Sequence, residues 1–245
     1  MNVTVKSLVE FIKSEINASS DLLIHSSLRS IGNLKGQASS LVEDIENYFC
    51  KNGTLVMMTS TPTDFSSTKV FDVLHTKSEM GILTEVFRER NRFNRSRVPM
   101  TSFCALGKNE RDYIKEFNSY LDDNSPFQAL MGHNGYIVLI GVDFNRCTLY
   151  HLPEEVMKVP YNEYKVFSGQ LIDFDGTYEN ISQEYFVRVS LSTKKDAMPV
   201  SLEFEQSSLC KTKRINNGVV RIFRAVDYYE YIIKALKNDL LCLLK

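Results

Sequence analysis

The chain is poor in every feature that would mark a special environment. Its five cysteines (Cys50, Cys104, Cys147, Cys210, Cys242) are odd in number, irregularly spaced and never in a CxxC pair. That excludes a disulfide scaffold and a structural zinc site as organising devices, and makes a reducing cytoplasm the expected location. Neither sign of charge dominates, with 29 Lys and Arg against 30 Asp and Glu. No global field favours nucleic acid, and the acidic surplus usual in an enzyme that seizes polycations is missing. No apolar run is long enough to span a membrane, and the polar, amphipathic N-terminus is unlike a signal peptide, so no membrane partner is expected. Internal repeats, low-complexity linkers and a GxSxG nucleophile elbow are also lacking.

What is present is an ordinary globular composition, 43% hydrophobic and 24% charged, enough for one domain over residues 1–245 with a full core. Leu8, Phe11, Ile12 and Ile16 share one face of an opening helix. Asp21 to Ile24 reads as a short buried strand running into His25-Ser26-Ser27-Leu28-Arg29-Ser30-Ile31-Gly32. A strand that ends in small hydroxyl residues, before a loop with Gly32 and Gly36, leaves backbone amides free to hold an anion. A helix over 39–51, closed by a left-handed cap at Asn52-Gly53, precedes a strand from Thr54 to Thr59. Residues 60–79 read as a polar functional loop, 80–90 as a helix and Ser102 to Leu106 as a strand. Short helices are predicted within 109–118 and from Ser125, the second ended by Gly132 or Gly135. Strand-like alternation over 164–175 and 184–191, with an Asp175-Gly176 turn, a strand from Val219 to Phe223 and a helix from Asp227 complete the chain. This order predicts an α/β sandwich on a largely parallel sheet, with a C-terminal antiparallel extension.

The stretch 136–156, YIVLIGVDFNRCTLYHLPEEV, carries the chemistry. Tyr136 to Val142 is a buried strand by its apolar run. Pro153 suits the first position of a helix and the acids after it suit the first turn, which places His151 just outside a helix N-terminus. Glu154 then lies close enough to meet the imidazole, a plausible general base and its orienter.

Several segments together resemble the antibiotic (aminoglycoside 3-N-) acetyltransferase family. They are HSSLRSIG at 25–32, NGTLVMMT at 52–59, FDVLHTKSEMGILTEVFR at 71–88, RSRVPMTSFCALG at 95–107, SPFQALMGHNGYIVLIGV at 125–142, TLYHLPEE at 148–155 and GVVRIFRAVDYYEYI at 218–232. They occur in family order over nearly the whole chain. The resemblance implies a single three-layer α/β/α sandwich around a mainly parallel mixed sheet. It also implies transfer of an acyl group from acyl-coenzyme A (acetyl-CoA, or a short hydroxyacyl such as 3-hydroxybutyryl-CoA) to an amine on a sugar, with no metal. By the same resemblance His151 is the base and Glu154 its partner in the family's His-x-x-Glu. Ser27, Leu28, Arg29, Ser30 and Ser102 line the coenzyme A site, and Glu85 either faces the amino sugar or caps its own helix.

Two positions depart from the family pattern. Val98 stands where a histidine precedes proline, and Asn145 stands where an acid lies six residues before the catalytic histidine. Both changes remove polar or acidic groups from the acceptor side. The expected acceptor is therefore a less basic amino sugar, dTDP- or UDP-linked and belonging to surface polysaccharide synthesis. The alternative is an aminoglycoside and a resistance enzyme; a degenerate coenzyme A-binding protein is a third reading. A hydrolase with Ser102 or Cys104 as nucleophile lacks its elbow motif. His75 and His133, in polar surroundings, read as surface or loop residues rather than metal ligands.

Overall fold

The computed structural model describes residues 5–32 and 34–245, the side chains of 35 and 36 excepted. Helix α1 (Val5–Glu15) buries Leu8 and Ile12, with Ile16 just beyond its end, because residues four apart stack on one helical face. Strand β1 (Asp21–Ser26) leads, past a 3-10 turn at Leu34–Gln37, to α2 (Ala38–Phe49) and β2 (Thr54–Met58). Next come α3 (Pro62–Thr68), β3 (Val70–Asp72), α4 (Ile82–Arg90), β4 (Phe103–Gly107), α5 (Glu110–Tyr113), α6 (Pro126–Gly132) and β5 (Tyr136–Ile140). The remainder is α7 (His151–Val156), β6 (Asn162–Ile172), β7 (Tyr178–Arg188), α8 (Met198–Gln206), β8 (Lys211–Ile215), β9 (Gly218–Arg224) and α9 (Ala225–Asn238).

The main sheet runs β4-β2-β1-β5-β9-β8. Its centre is parallel, with Leu23 opposite Val56 on one side and Ile137 on the other, while β4, β9 and β8 join antiparallel. Alternate residues of the central strands supply opposite faces. Leu22, Ile24, Leu55 and Val138 pack with Leu41 and Ile45 of α2 and Leu83 and Phe87 of α4. Leu23, Val56, Ile137 and Leu139 pack with Phe127 of α6, Leu152 of α7, Phe204 of α8 and Ile232 of α9. Helices cover both faces, so the chain is a three-layer α/β/α sandwich around a mixed sheet with a parallel centre. The antiparallel hairpin β6–β7 forms a second sheet with β3.

Residues 60–79 are not an irregular loop. Pro62 opens α3 at a position where a missing N–H costs nothing, and the Glu79 carboxylate accepts from the free N–H groups of Thr63 (3.1 Å) and Asp64 (2.6 Å). The left-handed cap expected at Asn52-Gly53 is also absent. Gly53 is needed for close approach instead, since a Cβ there would sit 2.2 Å from the Ser20 carbonyl oxygen. Helix α8 and strand β8 carry weak periodicity and escape a sequence reading. No helix among the described residues is long and apolar enough to cross a membrane.

Candidate active site

Parallel strands leave a crevice at their carboxyl ends, and a cleft of about 700 Å³ opens there. Met58 and Pro62 line it after β2; Asp143, Asn145, Arg146 and Thr148 line it from the crossing after β5. His151 enters at the start of α7, and β7 closes the far wall with Tyr185 to Arg188. The crossing is shaped locally. Asp143 Oδ1 accepts from the Asn145 N–H at 3.1 Å, which caps a 3-10 turn over Phe144–Arg146, and a second such turn, Thr148–Tyr150, delivers the chain to His151.

His151 Nδ1 lies 2.7 Å from Glu154 Oε2, and the carboxylate is 0% exposed while the imidazole keeps 29% of its surface open. With Nδ1–H donated to the carboxylate, the Nε2 lone pair is left for the cleft. The same Oε2 accepts from Lys195 Nζ at 2.7 Å and from Asn162 Nδ2 at 3.4 Å. Burial alone would raise the Glu154 pKa, but the His151 hydrogen bond and the charges of His151 and Lys195 outweigh it and hold the carboxyl at about 2. The His151 pKa is lowered. Burial is the main cause, the Lys195 and Arg188 charges add to it, and Glu154 opposes. The imidazole is therefore kept neutral, the form a general base requires. The sequence reading placed His151 just outside the helix. It is instead the first residue of α7, and burial rather than a helix dipole governs its basicity.

Sequence reasoning missed Lys195, Arg188 and Asn162. Lys195 is 41 residues from Glu154, and nothing in its neighbours marks it. The basic lining residues Arg146, Arg188 and Lys195 outnumber the acids Asp143 and Glu155, and Glu155 is already engaged by Ser119 (2.6 Å) and Tyr164 (3.2 Å).

The other expected site residues divide into three places. Ser27 to Ser30 form the turn after β1, beside the cleft but not in its lining. The Ser27 and Ser30 hydroxyls are 2.9 Å apart, Leu28 is buried, and the Arg29 guanidinium is exposed with no hydrogen-bond partner among the described residues. Gly141, at φ 66°, lets β5 end beneath this turn, where a Cβ would come within 2.7 Å of the Ser27 carbonyl. Ser102 is fully buried. Its hydroxyl donates to the Thr59 carbonyl (2.8 Å) beside the buried Arg95 guanidinium, which also donates to the carbonyls of Thr59, Val73 and Thr76. Glu85 takes both ends of the Arg88 guanidinium at 2.8 Å and the Ser78 N–H at 2.8 Å, and it does not line the cleft. Val98 is core, so its lost polarity does not bear on the cleft, whereas Asn145 lines it.

The hydrolase reading fails on burial. Ser102 and Cys104 are both inaccessible, and burial pushes the Cys104 thiol up to about 12. His75 and His133 pair with Asp72 and Asp112, each at 3.0 Å, and no cluster of three metal-binding side chains exists among the described residues.

The aminoglycoside 3-N-acetyltransferase family model matches residues 23–237. A SPbeta prophage-derived aminoglycoside N(3')-acetyltransferase-like protein, YokD of Bacillus subtilis (strain 168), is 26% identical over 93% of this chain and 91% of its own length. Aminoglycoside N(3)-acetyltransferase IV from Salmonella sp is 28% identical over 89% of this chain and 81% of its own. The structure of AAC-IIIb in binary complex with CoASH shares the fold, with a TM-score of 0.78 at 16% identity over 97% of each chain. With the match running from β1 to the last turn of α9, the chain belongs to the aminoglycoside 3-N-acetyltransferase family, whose members are N-acyltransferases.

Proposed function

We propose that this protein transfers an acetyl group from acetyl-CoA to an amine of an aminoglycoside-type amino sugar, with His151 as general base and Glu154 as its orienter. The observation that carries this reading is an imidazole pinned through Nδ1 to a buried carboxylate, its ring partly open and lining a cleft at the strand ends. The amine attacks in its neutral form, its ammonium proton having gone to solvent, and His151 Nε2 takes one of the two remaining protons as the nitrogen bonds to the acyl carbonyl carbon. The carbon–sulfur bond breaks, and the imidazolium returns the proton to the departing sulfur. The Ser27–Ser30 turn fits the coenzyme: its hydroxyls and an Arg29 guanidinium with no partner among the described residues suit phosphate, and Gly141 lets the end of β5 pack directly against the turn and hold it in shape. The names of the relatives favour an aminoglycoside over a nucleotide-linked sugar.

One observation favours the second reading, a nucleotide-linked amino sugar: the cleft presents Arg146, Arg188 and Lys195, which would repel a polycation and attract a phosphate. Free thiol release from acetyl-CoA and 3-hydroxybutyryl-CoA, with an aminoglycoside panel and a panel of dTDP- and UDP-linked amino sugars, separates the two. Release with aminoglycosides alone supports the main reading, and release with nucleotide-linked sugars alone replaces it. His151→Ala is expected to lose roughly two to four orders of magnitude in rate. Near-wild-type turnover in that variant would remove the base from the mechanism.

A further inference from the structure

The segment between β7 and α8 brings one cation to the base that the reaction outlined above does not use. Lys195 Nζ lies 2.7 Å from Glu154 Oε2, the oxygen that also accepts from His151 Nδ1, and its side chain is 10% exposed. The lysine is held in place through its backbone neighbours. Asn145 Oδ1 accepts from the Ala197 N–H at 2.7 Å, and Asn145 Nδ2 donates to Asp196 Oδ1 at 3.1 Å. On the other side Lys195 bridges antiparallel to Leu244, with the Asp196 N–H donating to the Leu243 carbonyl and the Lys245 N–H to the Lys194 carbonyl. The ammonium also stands 5.4 Å from the centre of the Tyr161 ring.

We propose that Lys195 is a positioning residue for the base: it anchors the Glu154 carboxylate and neutralises its charge, so that the carboxylate fixes the His151 ring without drawing a second proton onto it. The inference rests on the reading of His151 as the base. A buried carboxylate requires a counter-cation. Without Lys195, the group in contact that can become one is the imidazole itself, and an imidazolium cannot accept the amine proton. The surrounding groups do not substitute. Arg188 spends a guanidinium N–H on the Thr193 carbonyl (3.1 Å), and Arg146 is exposed. Asp143 accepts from the Asn145 N–H, and Tyr150, against the His151 ring, is kept neutral by burial. Asn145 thereby acquires a role: an aspartate there would face Asp196 and release the segment that carries the lysine.

The test is the pH dependence of kcat/KM for wild type, Lys195→Met and Lys195→Arg, with NMR titration of the His151 ring in the same resting proteins. In Lys195→Met the acid limb is expected at higher pH, with a roughly tenfold loss of kcat/KM on its acid side and convergence on wild type in alkali. The His151 resonance should titrate correspondingly higher. Lys195→Arg, which keeps the charge, should keep the wild-type limb. A Lys195→Met protein whose profile and His151 titration overlay the wild type overturns the proposal, whatever its absolute rate. So does a Lys195→Arg profile displaced as far as that of Lys195→Met. Should Lys195→Met not fold, Lys195→Gln, which retains a donor for Glu154, replaces it with the same expected shift. The NMR readout needs no turnover, so failure of the lysine's role is distinguishable from failure of His151 as base.

Discussion

Glu154→Gln removes one charge from the site while nearly preserving its shape, and its cost can be worked from the structure. Oε2 receives His151, Lys195 and Asn162 together, and the carboxyl is held at about 2 against an ordinary 4.5. A depressed folded-state pKa contributes stability that is present above the unfolded value and lost as pH falls through the folded one. A difference of about 2.5 units at ~1.36 kcal/mol each gives about 3 kcal/mol at pH 7, fading between pH 4.5 and about 2. The glutamine variant should therefore be about 3 kcal/mol less stable than wild type at pH 7 and approach it near pH 2. Urea unfolding across that range measures both ends. The amide can still accept from His151, but it offers the imidazole no charge, so thiol release should fall by roughly two orders of magnitude. A penalty below about 1 kcal/mol at pH 7, or one that does not shrink in acid, would refute the view of Glu154 as an ionised anchor.

Other outcomes follow from separate parts of the fold. His25, at the end of β1, is held at about 4 by burial, so its share of stability is complete above pH 6.5 and is lost as pH falls toward 4. His25→Gln should flatten the acid slope in that window by up to about 3 kcal/mol, as read by urea midpoints at pH 7 and 4.5; an unchanged slope would count against it. Gly53→Ala forces a Cβ to within 2.2 Å of the Ser20 carbonyl, in the linker between α1 and β1. It should cost about 1–3 kcal/mol by chemical denaturation, whereas a loss under about 0.5 would show that the backbone yields.

The parts legible in the sequence are those encoded locally. The apolar run at 136–140 and the His-x-x-Glu spacing place a strand and a hydrogen-bonded pair with no long-range information, and both stand in the structure. Regular pattern also pointed to an α/β sandwich on a largely parallel sheet, because buried parallel strands read as continuous apolar runs, while the three-layer α/β/α arrangement came from the family resemblance. The rest is set by distant contacts. Helix α3 depends on a cap from Glu79, fifteen or more residues away, so its own sequence looks like loop. Gly53 carries the sequence signature of a left-handed cap but is fixed by the neighbouring Ser20 backbone. Val98 and Asn145 looked equivalent as departures from the family pattern. Burial separates them, since Val98 is core and Asn145 holds the segment that supplies a cation to the base.

The pairing of residues 194–196 with 243–245 gives that cation a dependence on register. Successive residues of an extended segment point to opposite sides, so a slip of one residue would withdraw Lys195 and present a neighbour in its place. One neighbour, Lys194, has the same sign; the other, Asp196, has the opposite sign and would set a second carboxylate against Glu154. The sign of the charge beside the base is thus decided by how two stretches of backbone align, one of them residues 243–245, nearly a hundred positions from the histidine it serves.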